Sequence, residues 1–103
     1  MVKVSVMYPN GDGKHFDMDY YLNKHIPLVG ELLGAKLKET TVDKGLGGAE
    51  PGSTAPYACM GIMYFETVKD FGTSFGPNAS KILGDLPNFT NIKPDVQISE
   101  VMM

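Results

Sequence analysis

The nine residues Tyr57-Ala58-Cys59-Met60-Gly61-Ile62-Met63-Tyr64-Phe65 are apolar at both odd and even positions. A strand that is half exposed alternates between apolar and polar residues. A run without that alternation is expected of a strand covered on both faces. The rest of the chain must supply a sheet around this strand and a cover for each side of it.

The flanking segments read as three further strands and two helices. Val2-Lys3-Val4-Ser5-Val6-Met7-Tyr8 alternates with period two, with Val2, Val4, Val6 and Tyr8 on one face, and Pro9-Asn10-Gly11-Asp12-Gly13 ends it with consecutive turn formers. Asp17 is placed to cap a helix, with Phe16 and Tyr21 at the two positions of a hydrophobic staple. Met18, Tyr21, Leu22, His25, Val29, Leu32 and Leu33 follow helical spacing up to Gly34, a natural C-cap. Pro27 interrupts this helix beside His25 and predicts a kink or restart there, since an interior proline costs of order 3 kcal/mol if nothing compensates. Ala35 to Lys44 has the composition of an edge strand, and Gly45 to Pro56 is a long surface connection. Thr67 caps a second helix, with Asp70 in the position of a weak capping box. Its stripe is Val68, Phe71, Phe75, Ala79, Ile82 and Leu86, broken by Gly76-Pro77. A last strand is expected from about Thr90 to Met102.

The order β-α-β-β-α-β defines an α+β, ferredoxin-like domain occupying residues 1–103, with two helices on one face of a four-stranded antiparallel sheet. That leaves the other face of the two-sided strand bare. A second copy of the chain, packed sheet to sheet about a two-fold axis, is the simplest cover, so a homodimer through the sheet face is expected.

Composition narrows the partners. Twelve acidic residues stand against nine basic ones, all lysine, for a net charge of −3. Arginine is the bidentate reader of phosphate and guanine, and its absence from an acidic chain argues against nucleic acid. No run of about 18 apolar residues suggests a membrane span, and no leader sequence is evident. With Cys59 the only cysteine, no intrachain disulfide can form, and a cytoplasmic setting is expected.

Few residues carry recognisable chemistry. His15 and His25 are ten apart with no carboxylate or cysteine at ligand spacing, so no metal site is expected. There is no nucleotide fingerprint, and no cofactor is expected. Cys59 reads as strand packing, His15 as solvent-exposed, and Asp17 and Asp19 as favourable charge at a helix start. His25 is different, because it lies on the apolar stripe one turn after Tyr21, facing the space between helix and sheet. One reading makes it a core-edge histidine satisfied by Tyr21 or a backbone carbonyl. The other makes it a general acid or base in a pocket, since imidazole exchanges protons near neutral pH. Tyr8, Tyr21 and Tyr64 are available as hydroxyls around it or as aromatic packing.

The chain resembles the EthD family, named from ethyl tert-butyl ether degradation. The likeness rests on Tyr8-Pro9-Asn10, Phe16-Asp17, Tyr20-Tyr21, His25 and Pro27-Leu28-Val29. It continues through Asp85-Leu86-Pro87-Asn88-Phe89-Thr90-Asn91, Pro94 and Gln97-Ile98-Ser99-Glu100-Val101. The resemblance implies a dimeric α+β barrel with a pocket between sheet and helices in each subunit. Similar barrels include cofactor-free monooxygenases, muconolactone-type isomerases and haem-handling enzymes, so the fold does not select a chemistry.

Two functions follow as expectations. In one, the protein is an oxidoreductase of monooxygenase or isomerase type acting on a small apolar or aromatic molecule. His25 and Tyr21 would then be catalytic, and Tyr8, Phe16, Met18, Phe71 and Phe75 would bind substrate. In the other, it is a non-catalytic carrier or an accessory to a partner oxygenase, with the same residues conferring specificity. Haem ligation by His25 is the least supported alternative, because a lone histidine on an apolar face is usually hydrogen-bonded.

Overall fold

In the computed structural model, which describes residues 1–103, the two-sided run forms strand β3 (Tyr57–Phe65), nine residues long. It lies between β1 (Val2–Pro9) and β2 (Glu39–Lys44), and β4 (Asp95–Glu100) forms the other edge. The sheet order is β2-β3-β1-β4, antiparallel throughout. With helices on one face, this is the α+β, ferredoxin-like β-α-β-β-α-β arrangement. No helix is long and apolar enough to cross a membrane.

The first helical segment solves the proline problem by changing pitch. α1 (Met18–Tyr20) opens with the Asp17 carboxylate accepting from the Tyr20 N–H at 3.1 Å, and Phe16 packs on Tyr21 at 4.9 Å between ring centroids. Residues Tyr21–His25 then form a π-helical turn in which the Ile26 N–H reaches back to the Tyr21 carbonyl, and α2 (Ile26–Leu33) restarts with Pro27 in its first turn. Pro27 has no N–H to give and its ring crowds the turn before it, so widening that turn accommodates it without breaking the helix. The wide turn also keeps the four-residue steps Tyr21, His25, Val29 and Leu33 on one buried face. Leu22, expected on that face, is displaced outward and stands 45% exposed. Gly34 ends α2 at a positive φ of 65°, which a side chain would disfavour.

The second helical segment comprises α3 (Val68–Phe75), a 3₁₀ turn at Gly76–Asn78 and α4 (Ala79–Gly84). Thr67 caps α3 by accepting from the Asp70 N–H at 3.1 Å. The Asp70 carboxylate does not complete a capping box and pairs instead with Lys36 Nζ at 3.2 Å. The Asn78 amide donates to the Leu32 and Ser74 carbonyls, tying the broken helix to its neighbour.

Two strand boundaries differ from expectation. Ala35 and Lys36 belong to a 3₁₀ turn, so β2 starts only at Glu39. β4 starts at Asp95, because Pro94 has no N–H for a ladder; Thr90 makes only an isolated bridge to Phe16.

Register fixes the two faces of the sheet. Toward the helices lie the rows Thr40–Met63–Val4–Ile98 and Val42–Gly61–Val6–Val96, followed by Tyr8 beside Cys59. Two core clusters form there, one around Val4, Val29, Leu33, Met63, Phe65 and Ile82, the other around Tyr8, Tyr21, Cys59, Phe89 and Ile92. The open face carries Glu39–Tyr64–Lys3–Ser99, Thr41–Ile62–Ser5–Gln97 and Asp43–Met60–Met7–Asp95. It is therefore apolar only along β3 and at Met7 of β1.

Candidate functional site

Between the two core clusters lies a cavity of about 80 Å³ with mostly apolar walls. Val4, Val6 and Met63 form part of its floor, and Phe71, Phe75 and Ile82 come from the second helical segment. Leu83 and Val96, both more than half exposed, place its mouth between α4 and the β4 edge. The polar residues reaching it include His25, Tyr8 and Tyr21.

His25 is only 4% exposed. It projects from the end of the π-helical turn, with the Tyr21 ring stacked alongside at 5.4 Å and 18°, and Phe89 at 4.6 Å on its flank. Its hydrogen-bond partner is neither Tyr21 nor a backbone carbonyl. Nδ1 lies 2.9 Å from Oδ2 of Asp85.

Asp85 is held there by its own segment. It precedes a 3₁₀ turn, Leu86–Asn88, whose φ is partly preset by Pro87. The chain after that turn is laced to the start of the first helix. The Asp17 N–H donates to the Phe89 carbonyl at 2.8 Å, and the Thr90 hydroxyl donates to the His15 carbonyl at 2.6 Å. The carboxylate accepts two further hydrogen bonds at Oδ1, from the Tyr20 hydroxyl at 2.7 Å and the Asn88 amide at 2.9 Å. Partial burial pushes the Asp85 carboxyl up. The hydrogen bonds from Asn88, His25 and Tyr20 outweigh that and hold it below the usual carboxylate range. An ionised Asp85 can only accept, so Nδ1 of His25 carries the proton in this contact. In the neutral ring Nε2 is then the basic nitrogen. It has no protein partner and is not sealed in, so it is free toward the cavity that His25 lines.

Tyr8 and Tyr21 are almost fully buried, and their rings meet edge to face at 5.8 Å. Burial is the main cause that pushes both phenols well above their ordinary range. The Tyr21 hydroxyl lies against the backbone of Gly61, where any side chain would overlap it. Cys59 is fully buried behind them, its thiol pushed up to about 12 by burial and by the charge of Asp43.

The structure thus brings His25, Tyr21, Tyr8, Phe71 and Phe75 to one cavity. Phe16 and Met18 pack on the aromatic cluster and line a separate surface groove with Lys14 and Lys44. His15 is exposed, and Asp17 and Asp19 stay at the helix start. No three His, Cys, Asp or Glu side chains converge as a metal site would require. Asp85, Tyr20 and Asn88 enter the sequence analysis only as part of the family likeness, with no role at the site. The available signal was indirect: a histidine on an apolar stripe requires a partner, and Asp85-Leu86-Pro87-Asn88 is a turn that can fix a carboxylate.

Comparison with known proteins identifies the family. The EthD domain matches residues 14–93, a span that includes His25, Asp85 and Asn88. The chain belongs to the EthD family. The protein is similar to the crystal structure of an EthD-like protein from Ralstonia eutropha JMP134, with 37% identity over 99% of this chain and 92% of that one and a TM-score of 0.95. An EthD family protein from Bacillus halodurans C-125 shares the fold at 22% identity and a TM-score of 0.65, covering 99% of each chain. HapK from Hahella chejuensis does so at 12% identity and a TM-score of 0.61, covering 99% of this chain and 93% of that one. Among curated proteins there is no match to this EthD protein.

Proposed function

We propose that this EthD protein is an acid/base enzyme acting on a small apolar or aromatic molecule held between sheet and helices. His25 takes and returns a proton through Nε2, Asp85 orients the ring through Nδ1, Tyr21 and Tyr8 orient the ligand, and Phe71 and Phe75 pack against it. One observation carries this reading: a buried histidine at the wall of an apolar cavity with a carboxylate fixed behind it. A structural histidine needs only a satisfied nitrogen, whereas this pair leaves the basic nitrogen toward the cavity.

The reaction class is proton abstraction of isomerase or cofactor-independent monooxygenase type. A carbanion formed by His25 is either reprotonated elsewhere or reacts with dioxygen. Hydrogen–deuterium exchange into a panel of small aromatic and carbonyl compounds, followed by NMR beside an oxygen electrode, tests both branches. His25→Ala should lower the rate by roughly 10²–10⁴-fold while circular dichroism stays native. An unchanged rate overturns the assignment, and a ligand that binds tightly yet returns unchanged from the native protein makes it a carrier.

The open sheet face supports a second copy as its cover. Tyr64, Ile62, Met60 and Met7 form an apolar centre, with Lys3 and the carboxylates of Glu39, Asp43 and Asp95 around it. A two-fold axis sets such a patch against itself with both charge signs available at the rim. With a single buried cysteine, the protein suits the reducing cytoplasm.

A further inference from the structure

The cavity wall holds hydroxyl protons that the protein does not use. Tyr8 and Tyr21 are 1% and 2% exposed, and their rings meet edge to face at 5.8 Å. Two hydroxyls bring two O–H donors, and no protein acceptor receives either. Neither oxygen is sealed in, and both residues line the cavity with His25. A buried donor without an acceptor is costly unless something in the cavity receives it.

We infer that the Tyr8–Tyr21 pair is an oxyanion site, and that the ligand is an enolisable carbonyl compound or a phenol whose oxygen accepts from a tyrosine O–H while His25 removes its proton. This rests on His25 being the base. The atoms balance without an oxidant. Nε2 of His25 takes the proton from the carbon beside the carbonyl, the C–H electron pair becomes a C=C bond, and the carbonyl π pair moves to oxygen. That enolate oxygen accepts from the tyrosine O–H. Return of the proton from Nε2 to a different atom of the conjugated system completes an isomerisation and restores the neutral imidazole.

The surroundings favour this assignment. Donors fixed in an apolar wall act more strongly than in water. Burial keeps both phenols protonated at neutral pH, so the donors are not lost to ionisation. Asp85 behind His25 compensates the imidazolium that forms as the enolate does. Beyond these groups only Thr40 adds a polar side chain to the lining, which restricts the ligand to few oxygens.

Fluorine NMR of the intact protein with para-fluorophenol and the more acidic pentafluorophenol, against fluorobenzene and hexafluorobenzene, tests the inference. Each phenol should bind roughly 10–100-fold more tightly than its oxygen-free control, as a hydrogen bond to a charged oxygen allows, with the acidic phenol tightest. Tyr8→Phe or Tyr21→Phe, each keeping its ring, should bring that preference to within roughly threefold. Equal binding of phenol and control, or a preference surviving in both Phe variants, overturns it. His25→Ala separates the two readings. If it abolishes deuterium exchange while both tyrosine variants still prefer phenols, the base stands and the oxyanion site falls. If exchange survives His25→Ala while the tyrosine variants lose the preference, the oxyanion site stands and the base falls. The comparison of phenols with their controls needs no variant, so a variant that fails to fold leaves the test intact.

Discussion

Asp85 accepts the Nδ1 proton of His25 at 2.9 Å although sixty residues of chain separate them. The contact forms because the 3₁₀ turn after α4 is pinned along the start of the first helix, directly beneath the π-helical turn that presents His25. Replacing Asp85 by Asn keeps the shape and removes the charge. The amide can donate as well as accept, so it no longer dictates which nitrogen of His25 carries the proton, and it does not stabilise an imidazolium. Turnover, measured on any compound that exchanges deuterium with the native protein, should fall by roughly 10²–10⁴-fold in Asp85→Asn. The thermal melt at neutral pH checks that the fold survives.

The same carboxylate predicts how stability responds to acid. Its folded-state pKa is held below the ordinary value, so the unfolded chain binds its proton first as pH falls. The stabilisation is present above the ordinary carboxylate range and is lost as pH drops through the lowered folded value. Melting temperatures recorded from neutral pH downward should therefore decline more steeply below about pH 4 in the native protein than in Asp85→Asn. Parallel curves would show that the hydrogen bonds from Asn88, His25 and Tyr20 do not act on Asp85.

Much of this fold is legible in the sequence because local rules and long-range demands agree. The two-sided run Tyr57–Phe65 became the inner strand with those same bounds, Asp17 and Thr67 became caps, and Phe16 met Tyr21 as a staple. Legibility fails where tertiary context changes the local period. Pro27 signals trouble in the first helix, but only the packed structure shows a π-helical turn, which turns Leu22 outward while keeping His25 inside. The cavity residues on strand and helical segments, Tyr8, Tyr21, His25, Phe71 and Phe75, can be found from periodicity. Asp85 cannot, because its role depends on the path of an irregular segment. Spacing within one element carries no information about a partner sixty residues away.

Gly61 tests the tyrosine wall from below. It sits in the middle of β3, where an added methyl would overlap the Tyr21 hydroxyl, and that ring is wedged among Tyr8, Phe16, His25 and Phe89. The ring cannot swing aside cheaply, so Gly61→Ala should destabilise the protein by roughly 1–3 kcal/mol in urea unfolding, the usual range for overpacking. It should also weaken phenol binding, since the hydroxyl is displaced from the cavity wall. Native stability in Gly61→Ala would mean that Tyr21 does not lie on the β3 backbone.

The open sheet face gives a prediction about assembly. Ile62 lies midway along its apolar strip, with Tyr64 on one side and Met60 on the other, and the adjoining row places Met60 and Met7 between Asp43 and Asp95. If a second copy covers this strip, native mass spectrometry of the freshly purified protein should show twice the mass of one chain. Met60→Glu then adds a carboxylate to a row that already carries two, and a two-fold axis brings the doubled set face to face. Desolvating those charges at an apolar centre opposes association, so the variant should be monomeric at concentrations where the native protein is dimeric. Met60 is on the face away from both core clusters, so the Met60→Glu monomer should keep its helical circular dichroism. A monomeric native protein would leave Met7, Met60 and Tyr64 facing water, and the dimer proposal would fail with it.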